Sequence, residues 1–413
     1  MNSRAGRTRV VATLGTTQTL AWASSYYLPA VLAAPMAAEL GLSVSSVFAL
    51  FSLALLVSAA VGPSAGAAID RHGGRPVLMG TNLLFAAGLV ALGCAQGVWG
   101  LAAAWLILGV AMGSGLYEAA FASLVRLYGR DSRNVITGIT LIAGFASTVG
   151  WPLSALMDSH WGWRGACFGW AALHGVLGLA LNASLPRVGP VTVTSVQAEP
   201  HVDMLPAEAT TTTAPPGSGD TGRPLGPAER RRAEWILASV FAFTWFISTA
   251  MAAHLPRLLQ AGGVSLAVAV GVSALVGPAQ VAGRLLEFGV LRKLHPLLSA
   301  RMAALGHPLG VTVLLLAGPP AALVFAVLHG AGNGILTIAK GTLPLALFGA
   351  QGYGARQGLL MMPSRVTQAF APWVFGLGME RWGIGALYGS AALGLLAFAA
   401  LLALPYRAAE QGR

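Results

Sequence analysis

Three ionisable side chains stand within long apolar stretches of this sequence, where a charge is costly and usually serves a function. They are Glu118, Lys340 and Arg365. A guanidinium keeps its charge and binds a carboxylate through two parallel hydrogen bonds, so Arg365 is the strongest candidate to hold an anionic group. A carboxylate shielded from water takes up a proton more readily, so Glu118 is the candidate to carry a proton.

Aromatic and amide side chains lie on the same apolar stretches or on neighbouring ones. Gln18, Trp22 and Tyr26 are spaced by four residues and therefore share one helix face, and Tyr27 follows directly. The second half of the chain supplies Trp245, Asn333 and Gln368. Indole and phenol rings offer a ligand a flat apolar surface and one polar group. We expect these side chains to line a substrate site; alternatively they face lipid or join helices.

The motifs of soluble enzymes do not occur in the sequence. It has no Gly-x-x-x-x-Gly-Lys-Ser/Thr phosphate loop, no His-Glu-x-x-His zinc motif and no nucleophile elbow. The two cysteines, Cys94 and Cys167, lie in apolar stretches without metal-ligand spacing. The sequence therefore predicts neither an enzyme nor a metal or cofactor site, and any transport would draw on a gradient rather than on ATP.

The composition is that of a membrane protein. Of the 413 residues 55% are hydrophobic and only 9% are charged, and 53 are glycine, with a mean hydropathy of +0.69. A water-soluble fold of this size is less apolar. The net charge of +11 would suit a nucleic acid, but the arginines fall between apolar runs or near the chain ends, a pattern that sets membrane topology. We expect no nucleic-acid partner.

Twelve segments are long enough to span a bilayer, which takes about 20 mostly apolar residues. They cover approximately residues 10–34, 44–69, 76–95, 99–125, 134–157, 161–184, 234–256, 264–287, 297–317, 319–347, 358–379 and 384–405. The stretch 186–232 between the sixth and the seventh is rich in Pro, Thr and Gly and cannot bury a core. We predict two halves, 1–185 and 233–413, and a disordered linker, 186–232, with a short helix over 227–234.

The arginines predict the orientation in the membrane. With the N-terminus inside, most arginines, Arg284 among them, fall on the cytoplasmic side, and only Arg164, Arg257 and Arg381 fall on the other. By the positive-inside rule both termini and the linker are cytoplasmic. This predicts a multi-pass protein of a bacterial-type inner membrane, surrounded by lipid.

The turn after the second segment reads Gly-Ala-Ala-Ile-Asp-Arg-His-Gly-Gly-Arg over 66–75, and its Asp70 is placed to accept hydrogen bonds from the facing half. The second half contains a corresponding motif, Gly283-x-x-x-Glu287, which matches Gly66-x-x-x-Asp70 in the first half. The turn resembles the loop signature between helices 2 and 3 of the major facilitator superfamily, with Gly74 where that family often has a basic residue. The resemblance covers nearly the whole chain. It implies an all-α membrane protein with twelve transmembrane helices in two parallel six-helix halves.

The resemblance also implies roles for particular residues. Helices 1, 4, 7 and 10 line the central cavity in that fold, so Glu118, Lys340 and Arg365 would meet there. An ion pair between Glu118 and Lys340 across the cavity is then geometrically reasonable. A conformational latch would close the cytoplasmic end. Its predicted residues are Gly66, Asp70, Arg71, Gly73, Arg75, Gly283 and Glu287.

Within that superfamily, several short motifs are similar to bacterial monocarboxylate porters and oxalate–formate exchangers. The similar motifs are Tyr117-Glu118 and Gly277-Pro278. Arg365 corresponds to the basic residue that the exchangers have in helix 11. Ala279 stands where these carriers have a substrate arginine. The resemblance implies a monomeric secondary transporter that moves a small carboxylate-type anion together with a proton or against a counter-solute.

Two other functions remain open at this stage. One is a proton-antiport efflux pump for drugs or toxic compounds, because the fifth segment keeps part of the antiporter signature, with Trp151 between its final Gly150 and Pro152. The two cavity cations disfavour cationic drugs for such a pump. The other is a membrane sensor that keeps the fold without transporting, which would predict an added domain.

Overall fold

The computed structural model describes residues 4–187 and 226–404, and all regular structure in these two stretches is helical. The α-helices are α1 (Arg4–Ser24), α2 (Pro29–Leu40), α3 (Val44–His72), α4 (Gly74–Gly93), α5 (Val98–Gly115), α6 (Tyr117–Tyr128), α7 (Ser132–Ala143), α8 (Ala146–Leu173), α9 (Leu179–Ala183), α10 (Pro227–Ala261), α11 (Leu266–Ala274), α12 (Val276–Gly289), α13 (Pro296–Ala317), α14 (Ala322–Phe348), α15 (Tyr353–Trp382) and α16 (Ala386–Leu402). Seven helical stretches in the described chain have the length and apolar composition needed to cross a membrane. Each of the twelve predicted segments is helical over most of its length.

Several predicted segments are divided between two helices, among them the fifth, where α7 ends at Ala143 and α8 begins at Ala146. The first segment is interrupted between α1, which ends at Ser24, and α2, which begins at Pro29, so that Tyr26 and Tyr27 lie in the interruption. The fourth breaks at Leu116, whose backbone is extended (φ −80°, ψ −165°). The eighth divides at Leu275. The interruptions of the first and fourth segments lie at or next to Tyr26, Tyr27 and Glu118.

The fifth and sixth predicted segments meet at a turn inside α8. Gly162 has φ 70° and ψ 171° there, a conformation that favours glycine. Just after it, Arg164 Nε donates to Glu39 Oε1 (2.8 Å) and Trp163 Nε1 donates to Glu39 Oε2 (2.5 Å). Arg164 Nη1 also donates to the carbonyl of Gly93 (2.7 Å). This turn therefore ties the ends of α2 and α4 to the sixth segment.

The predicted linker, 186–232, lies mostly outside the described residues. Its C-terminal end differs from the prediction, because α10 begins at Pro227 and continues without interruption to Ala261. Proline suits the first turn of a helix, where an N–H has no intrahelical partner, and Glu229 accepts a hydrogen bond from the Gly226 N–H (3.0 Å). Residues 227–232 therefore extend the first helix of the second half.

Buried apolar side chains form three clusters. One is built from residues 10–185, with only Leu345, Tyr353 and Ala369 added from beyond residue 226. The other two are built entirely from residues 233–404. Each half of the chain thus packs mainly on itself.

The two halves meet along α3 and α15. Four glycines lie along this contact, and we call Gly62, Gly66, Gly354 and Gly358 the glycine seam. The close approach requires that Gly66, Gly354 and Gly358 have no Cβ. A Cβ on Gly66 would overlap the Gly354 carbonyl, and a Cβ on Gly358 would lie 2.5 Å from the backbone of Pro63. Small residues allow such close approach of membrane helices.

Candidate functional site

An ion pair crosses the interface between the halves near the middle of α15. Arg365 Nη2 donates to Glu118 Oε2 (2.9 Å), and Arg365 Nη1 donates to Gln368 Oε1 (3.1 Å). The Arg365 residue is only 3% exposed. The predicted ion pair between Glu118 and Lys340 is therefore wrong: within the described chain the partner of Glu118 is Arg365.

Lys340 lies against an aromatic face. Its Nζ is 3.9 Å from the centroid of the Trp245 ring, a favourable position for a cation. The residue is 3% exposed, and in the described part of the chain its Nζ has no hydrogen-bond partner. An ammonium has three N–H donors to satisfy. Lys340 Nζ is therefore a buried nitrogen whose hydrogen-bonding capacity is unused within the described residues.

Aromatic rings surround the two basic side chains. Trp22 and Trp245, one from each half, are nearly parallel, with ring centroids 6.4 Å apart. The Arg365 guanidinium carbon lies 5.9 Å from the Trp22 centroid and 6.0 Å from that of Trp245. Tyr26 and Tyr117 pack on Trp22 with centroids 5.1 and 5.0 Å away. These rings form an apolar wall beside the two basic side chains.

Three predicted polar residues have different surroundings. Gln368 contacts Arg365 directly. Gln18 Nε2 donates to the Gly115 carbonyl (2.7 Å), the last residue of α5, so Gln18 supports the helix break that precedes Glu118. Asn333 Nδ2 donates to Ser248 Oγ (2.9 Å) and joins α14 to α10.

Sequence reasoning missed Arg284 as a component of this region. It was placed among the cytoplasmic arginines, yet it is only 5% exposed, and its Nη1 donates to the Thr140 carbonyl of the other half (3.2 Å). Its guanidinium is close enough to interact electrostatically with Lys340, Tyr27 and Tyr117. Gly144 makes room for it, because a Cβ there would overlap the guanidinium. The position of Arg284 inside the eighth predicted segment was the available signal.

Two aromatic residues of the region were also absent from the predicted site. Tyr117 packs on Trp22, and Trp151 stands edge-on to Tyr27, with centroids 5.9 Å apart. The cluster as a whole contains three basic side chains, Arg284, Lys340 and Arg365, and one carboxylate, Glu118. The basic side chains therefore outnumber the acidic one.

The halves are also joined where α3 and α12 end, which we call the latch end. Asp70 Oδ1 and Oδ2 accept hydrogen bonds from the Gly354 and Ala355 N–H groups, both at 2.9 Å. These donors belong to the first turn of α15, and a helix N-terminus favours an anion. Asp70 thus receives hydrogen bonds from the facing half, as its place in the turn predicts.

A second contact between the halves lies at the same end. Arg133 Nη2 donates to Glu287 Oε1 (2.8 Å), and Arg133 Nη1 donates to the Leu294 carbonyl (2.7 Å). Gly283 lets α12 approach α14, since a Cβ on it would overlap the Ala331 backbone.

The remaining predicted latch residues do not bridge the halves through ion pairs. Gly73 ends α3 with φ 82°, a value that favours glycine. Arg71 is exposed and Arg75 is partly exposed, and neither takes part in an ion pair within 4 Å in the described chain.

Comparisons with known proteins agree with this architecture. The sequence model of the Major Facilitator Superfamily matches residues 14–306. A human protein, solute carrier family 2, facilitated glucose transporter member 10, is 33% identical over 186 residues, which make up 42% of this chain. The match spans 31% of that relative's length.

Two solved structures are similar over nearly their whole length. The human organic anion transporter MFSD10 (TETRAN) has a TM-score of 0.65 at 16% identity, covering 96% of this chain and 99% of that one. The E.coli fucose:proton symporter FucP has a TM-score of 0.68 at 14% identity, covering 96% and 98%. Identities this low show a common fold and nothing finer.

The matched family and fold are those of multi-pass membrane transporters, which are not enzymes. The family model covers well over half of the residues. The chain belongs to the Major Facilitator Superfamily.

Proposed function

We propose that this protein is a monomeric secondary transporter that moves a small carboxylate-type organic anion across a bacterial-type inner membrane. It has twelve transmembrane helices in two halves, 1–185 and 227–413, joined by a cytoplasmic linker, 186–226, with both termini cytoplasmic. The motifs shared with monocarboxylate porters and oxalate–formate exchangers support this class. The single observation that carries the proposal is the buried Nζ of Lys340, near Arg365, which has no hydrogen-bond partner among the described residues.

The charge balance favours an anion. Removing an ion from water is costly unless an opposite charge or hydrogen bonds replace the water. Three basic side chains share one carboxylate in this region, so an anionic substrate would supply both a second negative charge and the missing hydrogen-bond acceptors. A neutral sugar would supply no negative charge, and a cationic drug would add a positive one.

Glu118 would couple the anion to a proton. Its carboxylate already occupies Nη2 of Arg365, so an incoming carboxylate competes with it for the same guanidinium. Once the substrate has displaced Glu118 from Arg365, the Glu118 carboxylate lies unpaired in a poorly hydrated site. It then binds a proton more readily. Substrate and proton would therefore be bound together and released together.

The other predicted residues would shape the site and its access. Trp22, Tyr26, Tyr27 and Trp245 would cover the apolar part of the substrate, while Gln368 fixes the orientation of Arg365. Asp70 and Glu287 would hold the latch end shut while the site faces the opposite side. Alternating access then requires the Asp70 and Glu287 contacts to break.

Thermal stabilisation of the purified protein tests the proposed substrate class. A ligand that binds the folded state raises its melting temperature by mass action. We expect small organic anions to stabilise the protein, neutral sugars and lipophilic cations to have no effect, and Arg365→Gln to abolish the stabilisation. Arg381→Gln is the matched control, because Arg381 is exposed and lies in the last turn of α15, about four helical turns beyond Arg365. Stabilisation by sugars or by cations alone would contradict the proposal.

A further inference from the structure

A small pocket lies beside Glu118, on the side where α6 meets both α3 and α15. Its lining includes Ser58, Gly62, Gly113, Glu118, Gly358 and Arg365. The centre of a water-sized sphere can move within about 10 Å³ of this pocket, which is about the space that one water molecule needs. Trp22 and Trp245 are not among its lining residues, so the pocket is separate from the aromatic wall.

Polar groups in the pocket suit a water molecule. Ser58 is 2% exposed, and its Oγ has no hydrogen-bond partner in the described chain. Burying a hydroxyl without a partner is costly, whereas a buried water is stable when it has two to four polar contacts. The Ser58 hydroxyl, the Glu118 carboxylate and the Arg365 guanidinium provide such contacts.

We propose that this pocket holds the water through which Glu118 exchanges its proton, apart from the substrate cavity. The inference rests on the proposed function, in which Glu118 carries the proton. On release, the Glu118 carboxyl gives its proton to the pocket water while that water passes one proton on to bulk water, and uptake is the reverse. Ser58 positions the water.

The glycine seam controls access to the pocket from the latch end. Gly62 and Gly358 line the pocket, and one helical turn further on, Gly66 and Gly354 bring the two backbones into contact. Beyond them Asp70 binds the first turn of α15. Separation of α3 from α15 at this end therefore opens the pocket to water, so proton release follows latch opening.

The substitution Gly62→Ala, which adds one methyl group to the pocket lining, tests the proposal. A Cβ on Gly62 would lie 3.8 Å from the nearest atoms, the Cα and O of Gly358, so Gly62→Ala fits without displacement and fills the pocket. In proteoliposomes, with an organic anion that stabilises the wild type, we expect Gly62→Ala to slow uptake driven by a pH gradient by about tenfold or more. Exchange of labelled for unlabelled anion, which needs no proton release, should stay near the wild-type rate.

Two further variants complete the test. Gly80→Ala is the matched control, because Gly80 is exposed and a Cβ there meets nothing within 4 Å; both rates should stay unchanged. Ser58→Ala keeps the pocket but removes the hydroxyl, and should slow pH-driven uptake while sparing exchange. Infrared spectroscopy adds a substrate-free readout: the Glu118 carboxyl band, identified by its loss in Glu118→Gln, should exchange hydrogen for deuterium more slowly in Gly62→Ala.

The outcomes separate the two proposals. Wild-type pH-driven uptake in Gly62→Ala overturns the pocket as the proton route and leaves anion transport intact. If Gly62→Ala loses pH-driven uptake and anion exchange to the same extent, the proposed proton route is also overturned. The methyl group would then act by hindering the packing of α3 against α15. If no organic anion binds to or is moved by the wild-type protein, the proposed function itself fails.

Discussion

Glu118 and Arg365 form an ion pair between the two halves of the chain, with 2.9 Å between Glu118 Oε2 and Arg365 Nη2. Their side chains are 13% and 4% exposed, so water screens the attraction weakly. The pair joins α6 to α15. Under the proposed function, a substrate carboxylate would compete with Glu118 for this guanidinium, and the competition would link ligand binding to the charge of Glu118.

Replacing Glu118 by Gln should uncouple the transporter. Without the competing carboxylate, anion binding should persist and lose its dependence on pH, while uptake driven by a pH gradient should fall to background. The unliganded protein should be destabilised by roughly 3–5 kcal/mol, the usual effect of breaking a buried ion pair by removing one partner. Binding measured by scintillation proximity across a pH series, with melting temperatures in parallel, checks this.

Glu229→Gln is the matched control for the Glu118 change, because Glu229 is exposed at the start of α10. Its binding and melting temperature should stay at wild-type values. Full pH-driven uptake in Glu118→Gln would exclude Glu118 as the proton carrier.

Replacing Lys340 by Met should remove anion binding without loss of stability. Methionine has a similar length and no charge to bury, and apolar replacements of buried ions are often neutral or stabilising. We expect the affinity for the anion to fall by about tenfold or more, equivalent to about 1.4 kcal/mol, and the melting temperature of the unliganded protein to hold or rise.

Lys293→Met, at an exposed lysine, is the control for this change and should leave binding unaltered. A strongly destabilised Lys340→Met protein would indicate that the ammonium serves packing in the resting structure. Unchanged affinity would remove Lys340 from the substrate site.

The all-helical membrane fold could be predicted because hydropathy reports bilayer spans directly. The partner of Glu118 could not, because α5 ends before Leu116 and α6 starts anew after it. That break removes the continuous helical register from which facing positions are inferred. Glu118 consequently pairs with Arg365 on α15 rather than with Lys340 on α14.

Arg284 and Gly74 show two further limits of prediction from the sequence. Counting arginines by loop cannot show that Arg284, near the end of its segment, is buried against Thr140 of the other half. Gly74 departs from the basic residue common in the family because α4 begins against α6, and a Cβ there would overlap the side chain of Ser123. Both facts depend on how distant helices pack.

Asp70→Asn should weaken the latch without affecting the site. The asparagine keeps one acceptor oxygen for the α15 N-terminus but loses the charge, an interaction that contributes about 0.3–1 kcal/mol and up to about 2 kcal/mol when partly buried. We expect slower turnover with anion affinity within about twofold of the wild type. Transport kinetics together with equilibrium binding separate the two quantities.

Arg71→Gln is the neighbouring control, because Arg71 is exposed and outside the contacts of Asp70 with α15. It should leave turnover near the wild-type rate. Unaltered turnover in Asp70→Asn would count against a latch at this position.

His295 should make the latch end sensitive to acid. It precedes α13, outside the predicted membrane segments, and its Nδ1 accepts a hydrogen bond from the Leu297 N–H (3.2 Å). Burial lowers the pKa of His295 below its usual 6.5, and the charges of Arg133 and Arg301 lower that pKa further. The folded protein thus binds this proton less readily than the unfolded chain, so stability is complete above about pH 6.5 and is lost as pH falls from there through the folded pKa.

His295→Asn isolates this effect, because asparagine also caps a helix N-terminus but does not titrate. Between about pH 7.5 and about pH 5.5, where histidine changes charge, the melting temperature should fall further in the wild type than in His295→Asn. His160→Asn should behave like the wild type, because His160 is an exposed histidine remote in sequence from the latch end. Equal falls in the wild type and His295→Asn would show that protonation of His295 does not oppose folding, and that acid acts on the latch end through other groups.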